Sequence, residues 1–307
     1  MKVMVTGGAG FIGSHVVDLL VSAGFFVSVV DDLSTGRFEN INPRVNFYRV
    51  KVEDAGLEEV FAGERPDVVI HHAAQAGVGR SMNEPLADAE INILGAINLL
   101  ENCRRYRVGK VIYASSAAVY GSPAYLPVDE GHPCAPQSNY GVSKLTVEHY
   151  LRVYQEVYGV RHTILRYANV FGPRQDAAGE GGVAAIFIDC LLRDKPVRIF
   201  GDGRQTRDFI YVGDVARANL AALNRGDGEI LNASTGTSLS VNDLFRLLQG
   251  LTGSSLEPEY VPPRPGDIRH SCLANQKARE ALEWSPRCPV EEGLRQTLKS
   301  YLNHNPA

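Results

Sequence analysis

The chain has 307 residues, 44% of them hydrophobic, enough for more than one ordinary core of about 100–200 residues, so one large domain with an appended lobe is expected. A formal net charge of -4 without any block of Lys or Arg argues against a nucleic-acid or anionic-membrane surface and leaves a small molecule or a second copy of the chain as partner. Cys103, Cys134, Cys190, Cys272 and Cys288 are scattered, form neither a CxxC pair nor a Cys/His cluster, and point to a reduced cytoplasmic setting without structural metal.

"KVMVT" reads as a strand that begins at the second residue, leaving no room for an export leader, and no apolar run reaches the roughly 20 residues of a membrane span. A helix through "FIGSHVVDLLVSAG" follows, then a strand in "FFVSVVDD". Next come "VNFYRV", a short helix in "LEEVFAG", the strand "DVVIHHA", a helix through "ADAEINILGAINLLENCRRY" and the strand "KVIYASS". A long helix over "YGVSKLTVEHYLRVYQEVYG" and a strand "HTILRYANV" continue the alternation. Strands apolar throughout and separated by helices predict an α/β fold with a doubly wound parallel sheet, the Rossmann arrangement. After about residue 169 Gly and Pro punctuate shorter elements, which reads as a smaller C-terminal lobe. The expected division gives 1–168, with about 208–233, to the sheet domain and 169–207 with 234–307 to the lobe. The loops near 172–182 and 261–270 are candidate binding loops, with plain connectors as the competing reading.

The turn "VTGGAGFIGSH" sets Gly7, Gly8, Gly10 and Gly13 between the first strand and first helix. Glycines there permit a tight turn and a close approach of backbone to a pyrophosphate seated on the helix N-terminus. About 20 residues on, the second strand ends in Asp31 and Asp32, where a carboxylate accepts hydrogen bonds from an adenosine ribose and repels a 2'-phosphate, so NAD is preferred to NADP. A bare glycine turn with a helix-capping Asp is the structural alternative.

"NYGVSK" holds Tyr140 and Lys144 four residues apart, hence on one helix face. A nearby ammonium stabilises a phenolate against its ordinary pKa of about 10, so the tyrosine can serve as a base near neutrality. Tyr106 and Lys110 repeat the spacing, but Gly109 interrupts them, and they read as a helix end followed by a surface lysine. Upstream, "SSAAVYG" places Ser115 and Ser116 past a buried strand with no acid beside them; Ser115 is expected to close the strand end and Ser116 to point at a substrate.

Taken together, these blocks resemble the extended short-chain dehydrogenase/reductases, and within them the UDP-glucose (galactose) 4-epimerase family. "DDLSTG", "HHAAQAGVGRS", "INILGAINLLE", "RYANVFGPRQ", "GDGRQTRDFIYVGDVA" and "PPRPGDIRH" match family blocks in order along nearly the whole chain. The resemblance implies a bound NAD. It places Gly7, Gly10, Phe11 and Ile12 at the pyrophosphate and Asp31, Asp32, Ser34, Thr35 and Gly36 around the adenosine ribose. Ala73, Ala74, Gln75 and Asn92 would flank the cofactor, with Lys144 and Tyr167 near the nicotinamide end. On the UDP-sugar side it implies Asn169, Phe200, Arg207, Arg264, Asp267 and Ser271, and it implies a homodimer. Two guanidiniums suit a dianionic pyrophosphate; an ion pair with Asp202 or Asp208 is the alternative for Arg207. Two departures stand out: Lys51 replaces an acid found near the adenine in many relatives, and Ala76 replaces a lysine that some epimerases carry near the nicotinamide.

Within that family, Tyr140 is the expected base, Lys144 its partner and Ser116 the group that orients the sugar hydroxyl. Dehydrating and decarboxylating relatives carry acids where this chain has Ala117 and Ala118, so epimerisation of UDP-glucose and UDP-galactose through a 4-keto sugar is expected. A UDP-glucuronate 4-epimerase, a 4,6-dehydratase, a reductase and a non-catalytic NAD sensor are the alternatives. Serine at 271, where a bulky residue would crowd the sugar C2 substituent, leaves room for N-acetylhexosamines.

Overall fold

The computed structural model describes residues 1–177, 182–263 and 268–304. Strands β1 (Lys2–Thr6), β2 (Phe26–Val30), β3 (Asn46–Tyr48), β4 (Val68–His71), β5 (Lys110–Ser116) and β6 (Arg161–Tyr167) alternate with helices. These are α1 (Phe11–Ser22), α2 (Leu57–Glu64), α3 (Val78–Asn83), α4 (Pro85–Ala89), α5 (Gly95–Arg105) and α6 (Asn139–Tyr158). A π-helical turn, Glu90–Leu94, joins α4 to α5. Beyond β6 come β7 (Asn169–Phe171), α7 (Val183–Leu192), β8 (Arg198–Phe200), β9 (Thr206–Arg207), β10 (Phe209–Tyr211), α8 (Val212–Ala222) and β11 (Glu229–Ala233). The chain ends with β12 (Leu239–Ser240), α9 (Val241–Thr252), β13 (Glu259–Val261), α10 (Gln276–Leu282) and α11 (Val290–His304).

Among the described residues, seven strands form one sheet in the order β11-β6-β5-β4-β1-β2-β3, and every pairing is parallel. The doubly wound reading holds. The central strands β1, β4, β5 and β6 are buried on both faces, which is why their sequences run apolar rather than alternating, whereas the edge strand β3 is partly exposed. One face packs Val3, Val5, Ile70, Ile112 and Leu165 against α1, α8 and Trp284; the other packs Met4, Val69, Val111, Tyr113 and Ile164 against α2, α5 and α6. Strand order turns over between β1 and β4, and in such sheets the crevice outside the strand ends at that point receives ligands.

The smaller lobe has its own apolar cluster, in which Phe187, Ile188 and Leu191 of α7 meet Leu244, Phe245 and Leu248 of α9, with Leu294 and Leu298 of α11 closing it. Three separate short strand pairs accompany it: β7 with β10, which ties the lobe to the segment leading into α8, and, within the lobe, β9 with β12 and β8 with β13. Ser138 caps α6 by accepting the Gly141 amide at 3.1 Å, and Gly159, at φ 74°, ends it in the left-handed conformation glycine tolerates. Ser138 fixes where the helix starts, and with it the height of Tyr140 above the sheet.

Candidate active site

At the turnover point the glycine turn is closed by contact. Gly7 adopts φ +70°, donates to the Val30 carbonyl at 2.8 Å, and a Cβ on it would stand 2.6 Å from the amide nitrogen of Ala73. A Cβ on Gly13 would lie 2.1 Å from the Gly7 carbonyl oxygen, so both positions demand glycine for space. At Gly10 a Cβ would meet only that same oxygen, at 3.2 Å. There α1 begins without a capping side chain, so the first-turn amides of Phe11 and Ile12 are available to an anion. This donor set fits a dinucleotide pyrophosphate.

Asp31, at the end of β2, accepts the amides of Ala9 and Leu33, each at 2.9 Å. Burial pushes its carboxyl pKa up, while the Leu33 and Ala9 amides hold it down. Gly36 packs against it, since a Cβ would stand 2.7 Å from Oδ1. Asp32 accepts both the amide and the hydroxyl of Ser34, at 2.9 and 2.6 Å, and Thr35 is exposed at the loop tip. Beyond the loop a cleft of about 420 Å³ opens between Asp32, Arg49, Val50, Lys51, Asp54 and Gly56. Lys51, the departure noted in the sequence, is in its wall.

Ala73 and Ala74 follow β4 after His72. The side chains of Gln75 and Asn92 are engaged with each other's surroundings rather than with open space. Asn92 Oδ1 accepts the Gln75 amide at 2.8 Å, and its Nδ2 donates to the Gln75 carbonyl, Asp88 Oδ1 and Ser143 Oγ. Gln75 Nε2 donates to Asp88 Oδ1 at 3.0 Å and to the Gly77 carbonyl. Both residues therefore shape the loop, in which Gln75 is buried and Ala76 exposed. Tyr167 is also buried: its hydroxyl meets His72 Nε2 at 3.0 Å and Asn219 Nδ2 at 2.8 Å, and its ring stacks on His72.

Tyr140 and Lys144 sit in the first two turns of α6. The Tyr140 amide donates to Ser81 Oγ at 3.1 Å, and Asn139 donates to the Ser81 carbonyl. Gly141 brings the helix against the end of β5, for a Cβ there would lie 2.7 Å from the Ala118 carbonyl oxygen. Ser116, two residues earlier, accepts the Ala118 amide at 3.2 Å and is partly exposed. The Lys144 ammonium donates to the Ala114 carbonyl at 2.9 Å and lies 5.1 Å from the Tyr113 ring centroid and 5.7 Å from that of Tyr140. With Lys144 only 4% exposed, burial pulls its pKa down to about 8, opposed by the carboxylates of Asp88 and Glu148.

The pair of serines does have an acid after all. Glu148, one turn beyond Lys144, accepts the Ser115 hydroxyl at 2.5 Å and is gripped by Arg166 through Nε at 3.0 Å and Nη2 at 2.5 Å. Ser115 thus lies inside β5 and joins strand to helix instead of closing the strand. Lys110 is also not a surface lysine: it is 1% exposed and pairs with Asp227 at 2.6 Å. Its pairing partner in the spacing, Tyr106, does end α5 as expected.

On the lobe side Asn169 opens β7, is exposed, and donates its amide to the Asp208 carbonyl at 2.9 Å. Arg207, half-buried in β9, donates to the Thr206 carbonyl at 2.9 Å. Of the two acids weighed as its partners, Asp202 is held by Nη1 and Nη2 of Arg269, each at 2.7 Å, and Asp208 accepts amides from Thr235 and Gly236. Phe200 ends β8, and its carbonyl accepts from Gln205 at 2.8 Å. Ser271 donates its amide to Thr206 at 3.1 Å, placing residue 271 beside β9. Arg264 and Asp267 lie outside the described residues.

Residues 3–234 match the NAD dependent epimerase/dehydratase family. The chain belongs to that family. It is 48% identical to a UDP-glucose 4-epimerase from Thermotoga maritima solved with UDP-glucose, with 99% of each chain covered and a TM-score of 0.97. A Thermus thermophilus UDP-glucose 4-epimerase solved with NAD is 43% identical over 98% of this chain and 99% of that one, at a TM-score of 0.94. A UDP-N-acetylglucosamine 4-epimerase from Methanobrevibacter ruminantium, solved with UDP-N-acetylmuramic acid, is 36% identical with 99% of both chains covered and a TM-score of 0.95.

Membership makes NAD the cofactor of this chain, and it gives the buried acids a testable role. Lys144 carries its charge below about pH 8 and loses it as the pH rises through that value. Turnover that needs the ammonium therefore falls on the alkaline side. Replacing Asp88 with Asn keeps an acceptor for Gln75 and Asn92 but removes a negative charge that helps Lys144 hold its proton, so the alkaline limb of the pH–kcat profile moves to lower pH. A limb in the same place for Asp88→Asn and the parent refutes the assignment.

Proposed function

We propose that the chain is an NAD-dependent 4-epimerase interconverting UDP-glucose and UDP-galactose. The observation that carries this reading is the juxtaposition at the end of β5: Tyr140 beside buried Lys144, Ser116 close to the start of α6, and alanines at 117 and 118. NAD, when bound, supplies the acceptor and donor of hydride at the sugar C4. Tyr140 takes the proton of the 4-hydroxyl and returns it, Lys144 stabilises the phenolate, and Ser116 orients the hydroxyl. Ala117 and Ala118 neither donate nor accept a proton, so this site has nothing there for the elimination that a 4,6-dehydratase performs.

Roles elsewhere follow the same reading. The turn Gly7, Gly10, Phe11 and Ile12 holds the pyrophosphate, and Asp31 to Gly36 hold the adenosine ribose. Asn169 and Arg207, with Arg264 and Asp267, grip the UDP moiety, and Phe200 and Ser271 border it. Residues 1–168 with 208–233 make the cofactor unit, and 169–207 with 234–307 the sugar lobe. A cytoplasmic setting suits five thiols that stay unpaired.

Purified enzyme is expected to convert UDP-galactose to UDP-glucose without added NAD, and Tyr140→Phe to lower kcat by about 10²–10⁴-fold, the usual span of acid–base catalysis. Steady NADH release during turnover, or full activity in Tyr140→Phe, rejects the mechanism. Serine at 271 extends the substrate range: UDP-GlcNAc is expected to be epimerised too, and an enzyme active on UDP-glucose yet inert toward UDP-GlcNAc removes that extension.

The chain is a homodimer in this reading. Val142, Tyr150, Val153 and Val157 form an exposed stripe down one side of α6, with Leu94 exposed where the π turn meets α5. A second copy covering both helices buries them. Val153→Asp with Val157→Asp is expected to shift the mass in light scattering from dimer to monomer; a monomeric parent chain overturns the proposal.

A further inference from the structure

We infer that residues 173–176, a strap from the smaller lobe, form a clasp that keeps the dinucleotide in its cradle. The need for retention rests on the redox-neutral reaction proposed above: an enzyme that takes up and returns the same hydride must keep its cofactor between the two steps. The strap leaves β7 through Gly172, where a Cβ would stand 2.4 Å from Val212 Cγ1, so the backbone passes tightly over the start of α8.

Each residue of the strap is then tied down. The Pro173 carbonyl accepts from His15 Nε2 at 2.9 Å, Arg174 pairs with Asp18 at 2.7 Å, and Asp176 pairs with Arg37 at 2.6 Å. Gln175 donates to the Val170 carbonyl at 3.1 Å, and its own carbonyl accepts the Tyr301 hydroxyl of α11. His15 and Asp18 stand on α1 within two turns of the amides that face the pyrophosphate. Arg37 is fixed to the glycine turn itself, because its amide donates to the Ala9 carbonyl at 3.0 Å, where Asn40 also donates.

The glycine turn, α1, Arg37 and the strap therefore make a closed ring of contacts beside the cradle, joined by side-chain contacts across 139 and 158 residues of sequence. Partly exposed ion pairs are individually weak. Acting together on one short strap they raise the barrier to opening, which is felt in the rate of release more than in the rate of binding.

The test follows NAD and not the sugar. Holoenzyme is passed through timed gel filtration and the nucleotide left on the protein is quantified after acid extraction. Arg37→Ala combined with Arg174→Ala is expected to release NAD about tenfold faster or more than the parent, a step of the size that a few weak ties supply together. In about 1 M salt, where screening shortens to about 3 Å, the parent's release accelerates while that of the double variant does not. Exchanging the charges, Arg37→Asp with Asp176→Arg, restores slow release. Equal release from parent and double variant, or parent release insensitive to salt, overturns the clasp; the salt series decides it even if the variants fold poorly. A chain that keeps NAD by these ties yet leaves UDP-sugars unchanged defeats the epimerase reading and leaves the clasp standing.

Discussion

The ion pair between Glu148 and Arg166 lies under everything the site does. Both side chains are nearly removed from water, at 2% and 3% exposure, and stripping two charges of solvent costs several kcal/mol per ion before any contact is made. Two hydrogen bonds between them and a third from Ser115 offset that cost. Arg166 also lies over the Tyr120 ring, and the Tyr120 hydroxyl donates to Asn232 of β11 at 2.7 Å. One buried network thus locks α6 to β5, β6 and β11 at the strand ends. A hydrophobic core of the same volume would hold these elements as firmly, but it would not fix their rotation and height to the same degree. With Ser116 next to Ser115 and Lys144 one turn from Glu148, fixing that network fixes the spacing of the candidate catalytic groups.

The same network has an electrostatic consequence. Lys144 is a buried cation, and burial alone favours its neutral form. Asp88 from α4 and Glu148 from α6 face it and favour the charge. His71 and His72, which also lie close, are held to pKa values of about 3, by burial first and by Lys144 itself, so neither adds a competing positive charge near neutrality. A cation supported by two carboxylates and two neutral imidazoles is what a phenol needs if it is to lose and regain a proton with little rearrangement. Asp88 is held in turn by Gln75 in the loop that follows β4 and by Asn92 in the π turn, so these two residues fix one of the carboxylates that support the charge of the lysine. The absent lysine at Ala76 is then less costly than it looks in sequence, because the ammonium that remains is well anchored.

Much of this was legible in the sequence where backbone geometry restricts residue type. Gly7 and Gly13 are glycines because a Cβ at either would collide with backbone, and the strand, turn and helix order around them followed from apolar periodicity. The Tyr140 and Lys144 pair was legible because four residues is one helical turn. What sequence missed were contacts made across the fold. Ser115 seemed to lack an acid because Glu148 lies 33 residues away, though its position four after Lys144 on the same helix face was a signal available to a reader. Arg166 was a second signal, a charge inside an apolar strand that had to find a partner. Lys110 was misread because Gly109 suggested an exposed turn, whereas Asp227 and the Arg225 carbonyl draw its ammonium into the lower edge of the sheet. Gln75 and Asn92 were expected to flank the cofactor, but the hydrogen bonds that join them to each other and to Asp88 were not legible, for a motif gives the position of a side chain in the chain and not its direction.

Asp208 explains why the two halves of the molecule act on each other. It is fully buried, accepts the amides of Thr235 and Gly236 and the hydroxyl of Thr235, and through its carbonyl receives the Asn169 amide. Arg207 immediately precedes it, and Asn169 is two residues beyond the end of β6. The proposed UDP-binding groups are therefore mounted on backbone that is hydrogen-bonded, step by step, to the sheet carrying Ser116. Four residues past Asn169 the same stretch of chain becomes the strap over the glycine turn. Asn169 and the strap then share one short piece of backbone, β7 with Gly172, and β7 is pinned to β10 along its length.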